Sequence, residues 1–224
     1  MTQSMKVFLA GASRGVGREL AQKLVAADHQ VVALLRSDQA EAALMAMGIT
    51  VVKGDALEAA KMVQLIAEHS PDAVMSTIGG LPEDGTVRAD FVGNQNLIDA
   101  AIAANAKRFI LISSIGSGNS AQALPDNVLE VLGPVLKEKA QAEAHLVNSG
   151  LVYTIIRPGG LVSESATGQE VLTEDPTVAG SIPRAAVAAL AVRCLGSDRA
   201  HNKIFSAIDL PKQRSEQKFE VVNL

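Results

Sequence analysis

Apolar positions along the chain follow two alternating rhythms. Short unbroken runs such as Lys6–Ala10 stop at glycine or polar residues, and stretches with apolar side chains every three or four positions come after them. The first rhythm belongs to a strand buried on both faces, the second to a helix with one buried stripe. After Ala10 the period changes across Gly11-Ala12-Ser13-Arg14-Gly15-Val16-Gly17, and Val16, Leu20 and Leu24 then lie on one helical face. Gln30–Leu35 is the second predicted strand, 38–47 a short helix closed at Gly48, and Thr50–Lys53 a third strand ending at Gly54-Asp55. A helix over 58–69 is punctuated by Pro71, and strand Ala73–Ser76 opens into Thr77-Ile78-Gly79-Gly80. A polar loop at 81–87, holding Pro82 and Gly85, leads into a long helix over Asp90–Asn105.

The second half continues the alternation with longer interruptions. Strand Arg108–Ile112 runs into Ser113-Ser114-Ile115-Gly116-Ser117-Gly118, and residues 119–134, with Pro125 and Pro134, read as a loop with room for one short helix. Val135–Asn148 is helical and Gly150 closes it; Leu151–Ile156 is the sixth strand, ending at Arg157-Pro158-Gly159-Gly160-Leu161. Residues 163–180 are polar and irregular apart from a brief strand at Val171-Leu172, which suits a segment that covers a substrate. Pro183 opens a helix reaching Leu195, and Lys203–Ile208 offers a seventh strand. The tail ends in Phe219-Glu220-Val221-Val222, either a last strand or an arm packing on a neighbour.

Strands alternating with helices on short connections predict an α/β chain: a Rossmann-type doubly wound parallel sheet in three α/β/α layers. Residues 1–224 make a single domain, with a small substrate-covering portion from about residue 160 to 224. In such a sheet ligands bind beyond the strand C-termini, so the turns at Gly11, Arg36, Asp55, Thr77, Ser113 and Pro158 are expected on one rim.

Composition narrows the partners. Aromatic residues are 3% of the chain, Trp is absent and the net charge is −4, which disfavours nucleic acid as a partner. Cys194 is the only cysteine, so there is no disulfide framework, and the four histidines lack i, i+4 pairing, so no metal site is expected. No signal pattern precedes the first strand and no apolar run nears the roughly 20 residues of a membrane span. The expectation is a cytoplasmic protein, monomer or homodimer, acting on a small molecule, with a protein partner as a further option.

The chemistry sits at the strand ends. A helix opening after a glycine turn aims unpaired N–H groups and a positive dipole end at an anion, here a dinucleotide pyrophosphate held by Gly11, Ser13, Arg14, Gly15 and Val16. The glycines fall as G-x-x-x-G-x-G rather than G-x-G-x-x-G. At the end of the second strand, where NAD-type sites carry an acid for the ribose hydroxyls, stands Arg36, whose guanidinium suits the 2′-phosphate of NADP and can stack on adenine. Taken alone, Arg36 also fits a solvated residue after a strand. Asp55 and Ala56 are placed to meet the adenine, or Asp55 merely favours a helix dipole.

With these residues in hand, the chain resembles the atypical branch of the short-chain dehydrogenase/reductase family, and within it the small NmrA-like and flavin-reductase-like members. The resemblance rests on Gly11–Gly17, Arg36, Gly54-Asp55, Ser76–Gly79, Ser113-Ser114, Lys139 with Glu143, Ser149–Leu161, and Ser181-Ile182 with Arg184. It implies a cofactor site of NADP, in its reduced form NADPH, drawing also on Thr77, Ile78, Gly79, Ser113, Lys139 and Pro158. It further implies that Lys139 binds the nicotinamide ribose and that Ser114 hydrogen-bonds substrate or the nicotinamide amide, the two candidate catalytic residues. Tyrosine-dependent members carry a tyrosine four residues before the lysine; here that position is Val135, and the sole tyrosine, Tyr153, falls on a predicted strand. The resemblance therefore points to an NADPH-dependent oxidoreductase for flavins, quinones or tetrapyrroles, whose reduction needs no phenolic acid. A redox sensor or assembly factor of NmrA-like type is the alternative, and a sugar-nucleotide epimerase or dehydratase a weaker one.

Overall fold

Strand β1 (Lys6–Ala10) is paired in parallel on both sides, with β2 (Gln30–Leu35) and with β4 (Ala73–Ser76). The computed structural model describes residues 4–79, 88–214 and 218–224. The expected polar loop at 81–87, with Gly80, lies outside the described residues. Around β1 stand β3 (Thr50–Lys53), β5 (Arg108–Ile112), β6 (Val152–Pro158), β8 (Glu170–Thr173) and β10 (Lys203–Asp209), in the order β3-β2-β1-β4-β5-β6-β10-β8. All pairs are parallel except β8 on β10, so seven strands aim their C-termini at one rim. The order reverses between β1 and β4, the place where such a sheet leaves a crevice.

The strands read as continuous apolar runs because each buries both faces. Val7 and Leu9 of β1 pack on one side, with α1 (Gly15–Ala26) and α6 (Arg184–Leu195); Phe8 and Ala10 pack on the other. That second layer is α3 (Ala59–His69), α4 (Val92–Ala103) and α5 (Asp126–Val147), which supply Met62, Leu97, Ile98 and Leu146. Each fully buried Leu or Phe contributes about 1.5–3 kcal/mol relative to exposure, so the sheet is held from both sides. The short α2 (Glu41–Met45) covers the β2–β3 end through Leu44.

Three expectations are refined. The stretch at 119–134, read as a loop with room for one short helix, holds a 3-10 turn, Gly118–Ala123, and then the first half of α5, which begins at Asp126 and runs through Pro134. Pro134 and Glu130 are both exposed, so the carbonyl deprived of its helical donor sits on the solvent side, where a proline interrupts least. Pro183 stands as the N-cap of α6, one residue before the helix begins at Arg184, and also ends β9 (Ser181–Pro183), an unforeseen strand paired in parallel with β7 (Gly160–Val162). The tail forms no strand among its described residues: the Val222 N–H donates to the Leu172 carbonyl, and Val222 and Leu224 pack on their own chain's core. Within 160–224, β10 and β8 belong to the central sheet and α6 lies against α1, while β7 and β9 form a separate two-stranded sheet.

Candidate functional site

The turn after β1 is built by close contact. Gly11 has φ +94°, a conformation favouring glycine, and a Cβ placed there would lie 2.3 Å from Thr77 Oγ1. At Gly17 a Cβ would meet the Gly11 carbonyl oxygen at 2.0 Å, so only glycine lets α1 lie this near the turn. The Thr77 hydroxyl donates to the carbonyls of Ala10 and Gly11 at 3.3 and 3.2 Å, clamping the end of β4 to the turn. Gly15, at φ +57°, differs: among the described residues a Cβ there would meet only Arg184, at 3.9 Å. The N-cap residue Arg14 makes no side-chain capping bond to α1, no acid stands in the first turn of the helix, and Ser13, Arg14 and Gly15 are exposed. Amides at a helix N-terminus with an exposed glycine beside them fit a pyrophosphate.

Along the rim, Arg36 follows β2 and is exposed, while Val16 is buried and offers its backbone. The Asp55 carboxylate accepts the Leu57 N–H at 2.9 Å, and the buried Ala56 is fixed by its carbonyl accepting from Asn96 Nδ2 at 2.8 Å. Ile78 leans on the α3/α4 core, and Gly79 lies directly over a charged pair. That pair is Lys139 and Asp90, with Nζ 3.0 Å from Oδ1; the Asp90 side chain is wholly buried and that of Lys139 is 15% exposed. A Cβ on Gly79 would fall 2.3 Å from Asp90 Oδ1 and 2.8 Å from Lys139 Nζ, so glycine leaves room for the ammonium beside the β4 end. Asn94 braces the same corner, its Nδ2 donating to the Asp90 carbonyl and its Oδ1 accepting from Ser76 Oγ.

Beyond β5 the two serines part. Ser114 is half-buried and its hydroxyl donates to the Ile115 carbonyl at 2.9 Å. Ser113 is buried, and its hydroxyl donates to the Glu143 carboxylate, which also holds the Arg157 guanidinium from Nε at 3.1 Å and NH2 at 2.6 Å. Arg157 reaches on to Asn119 Oδ1 at 2.6 Å. The Ser113 side chain is thus spent on a buried ion pair that ties β5, α5 and β6 together, and its N–H donates to the Ile156 carbonyl at 2.7 Å. Pro158 is buried, its carbonyl accepting the Ile115 N–H. Asp90, Asn94, Ser113 and Lys139 adjoin one another here.

Sequence reasoning assigned no role to Asp90, Asn94, Asn96 or Arg184. A signal existed for the first two: Asp90 and Asn94 stand i, i+4 on the face that continues to Leu97 and Ala101, polar groups on an apolar stripe. Tyr153 lies near the start of β6, at the end of the sheet remote from the rim, and its strand neighbour Phe109 is equally far from the strand tips. Cys194 is fully buried and burial pushes its thiol up to about 12, so it is packing, not nucleophile. A cavity of about 420 Å³ near Thr173, Phe219 and Val222 lies at the β8 edge of the sheet, away from the glycine turn. Among the described residues no cluster suits a metal and no helix is long and apolar enough to cross a membrane.

Comparison with known proteins agrees with this geometry. A family model described as NAD(P)H-binding matches residues 11–198. The uncharacterized sugar epimerase YhfK of Bacillus subtilis is 34% identical over 205 residues, 90% of this chain and 92% of that protein. TIC 62 of Oryza sativa, a chloroplastic protein, is 30% identical over 90% of this chain, which spans 46% of its length. Among solved structures, the anaerobillin reductase ChuY of Escherichia coli O157:H7 superposes with a TM-score of 0.83 at 30% identity, over 96% of this chain and 100% of ChuY. The chain therefore belongs to the NAD(P)H-binding family, within the NmrA-like, atypical short-chain dehydrogenases/reductases, and the cofactor of that family is a nicotinamide dinucleotide.

Proposed function

We propose that this chain is an NADPH-dependent reductase of a planar, electron-poor acceptor of the flavin, quinone or tetrapyrrole type. The observation that carries the proposal is the separation of lysine from any phenol: Lys139 reaches the rim, Val135 stands one turn before it, and the chain's one tyrosine sits at the other end of the sheet. A carbonyl acceptor needs an acid beside its oxygen, whereas a conjugated ring spreads the incoming charge and takes its proton from water.

Bound NADPH supplies a hydride. The chain's part is to bind and orient. Gly15 and Val16 present amides to the pyrophosphate, with Gly11, Ser13 and Arg14 completing the turn; Arg36 pairs with the 2′-phosphate, which favours NADP over NAD; Asp55 and Ala56 border the adenine. Thr77, Ile78, Gly79, Ser113 and Pro158 shape the nicotinamide half through backbone, and Lys139, held by Asp90, bonds the ribose hydroxyls. Ser114 is the remaining hydroxyl at the β5 end for the nicotinamide amide or the acceptor. ChuY, an anaerobillin reductase by name, supports a tetrapyrrole-like acceptor.

A second reading, a nucleotide-dependent regulatory or assembly factor, is favoured by the missing phenol together with the likeness to Ycf39 of Cyanidium caldarium, a photosystem II assembly factor by name, 26% identical over 77% of this chain. Titration with NADPH and NADH, repeated on Arg36→Asp, tests the cofactor assignment: wild type prefers NADPH, and the substitution reduces that preference by roughly 10-fold or more. An unchanged preference contradicts the role of Arg36. Tight NADPH binding without turnover on any acceptor favours the second reading.

A further inference from the structure

Arg184 belongs to the same rim but to none of the strand ends considered so far. It opens α6, which packs against α1, and β7 and β9 pair so that Val162 faces Pro183. Ser163 and Arg184, the next residue of each strand, therefore emerge side by side. Arg184 NH1 donates to Ser163 Oγ at 2.9 Å. Among the described residues, a Cβ built on Gly15 would meet nothing but the Arg184 side chain, with Cδ and Nε each 3.9 Å away. Among the described residues no carboxylate pairs with this guanidinium, which has further donors beyond the one given to Ser163.

We propose that Arg184 is an anion-binding residue of the nucleotide site: its guanidinium lies over the pyrophosphate held at Gly15 and, through Ser163, fastens the segment 163–170 across the rim when the cofactor is bound. The inference rests on the reading that the glycine turn holds NADPH. An arginine suits the task because its fork serves phosphate oxygens and a hydroxyl at once, which a lysine point charge does not. The segment it grips carries Thr167, whose hydroxyl donates to the buried Asp209 at 2.5 Å, so fastening at Ser163 joins a chain already anchored at its other end.

Fluorescence titration of the full chain with NADPH and with adenosine 2′-phosphate, which has no pyrophosphate, separates the contributions. Arg184→Gln raises the NADPH Kd by about 10-fold or more and leaves that of adenosine 2′-phosphate unchanged, and Arg184→Lys recovers part of the loss. Hydrogen exchange supplies a readout independent of activity: NADPH slows exchange across 163–170 in wild type, and Ser163→Ala removes that protection while NADPH still binds. Should Arg184→Gln not fold, as judged by circular dichroism, Arg184→Lys and Ser163→Ala carry the test. A wild type that binds no NADPH overturns the nucleotide reading and this inference with it. A wild type that binds, with Arg184 variants of equal affinity or with unaltered protection in Ser163→Ala, overturns the inference alone.

Discussion

Lys139 Nζ lies 3.0 Å from Asp90 Oδ1, and the carboxylate that holds it is wholly buried. The ammonium is thus brought to the β4 end by an acid from the segment before α4 rather than by anything on its own helix. Removing one member leaves the other charge poorly solvated. Asp90→Asn and Lys139→Met are each expected to lower stability by about 2–4 kcal/mol, and the double variant to lose clearly less than the sum, because the pair is then gone as a unit. Thermal or denaturant unfolding of the four proteins measures this; additive losses contradict the coupling.

Two glycines in one turn are predicted to fail differently. Gly17→Ala forces a methyl to within 2.0 Å of the Gly11 carbonyl oxygen and is expected to cost about 3 kcal/mol or more, because backbone must move. Gly15→Ala meets no backbone among the described residues and bears only the strain of φ +57°, about 1–2 kcal/mol, while its methyl crowds the turn. It should fold and bind NADPH roughly 10-fold more weakly. Melting temperature and NADPH titration on both variants check the ranking; a Gly17→Ala protein as stable as Gly15→Ala contradicts it.

His29 predicts a pH dependence of stability remote from the rim. Its ring is buried, Nδ1 accepts the Met5 N–H at 3.1 Å, and burial pushes its pKa below the ordinary 6.5, with Asp28 pulling partly back. The unfolded chain then binds the proton more readily than the folded one. The contribution of His29 is complete above about pH 6.5 and is lost as pH falls below that toward the folded value. Melting curves between about pH 7.5 and about pH 5.5 should show this loss, and His29→Gln should flatten it. An identical slope in the variant assigns the dependence to other groups.

Much of this architecture was legible in the sequence because a doubly wound sheet buries its strands on both faces. Phe8 with Val7, and Leu111 with Ile110, read as unbroken apolar runs for that reason, and the turns at Gly11, Arg36 and Thr77 mark where those runs stop. The first half of α5 was illegible because Pro125 and Pro134 are breakers in most settings, while here Pro125 precedes the helix and Pro134 lies on its wet side. The site was half legible. Strand ends reveal which residues reach the rim, but not that the Ser113 hydroxyl is drawn inward by Glu143 and Arg157 or that Asp90 supplies the partner of Lys139. Those pairings join residues of α5 to β5, β6 and the approach to α4, and one-dimensional spacing carries no record of them.

The central claim is hydride transfer without a phenolic acid, and single-turnover oxidation of NADPH under anaerobic conditions tests it most directly. With a panel of free flavins, quinones, linear tetrapyrroles and simple aldehydes, the account predicts loss of the reduced-nicotinamide absorbance with at least one conjugated acceptor and none with the aldehydes. Tyr153→Phe should react like wild type, and Lys139→Met should bind NADPH more weakly. Oxidation of NADPH by aldehydes that Tyr153→Phe abolishes, or no oxidation with any acceptor despite tight NADPH binding, contradicts the claim.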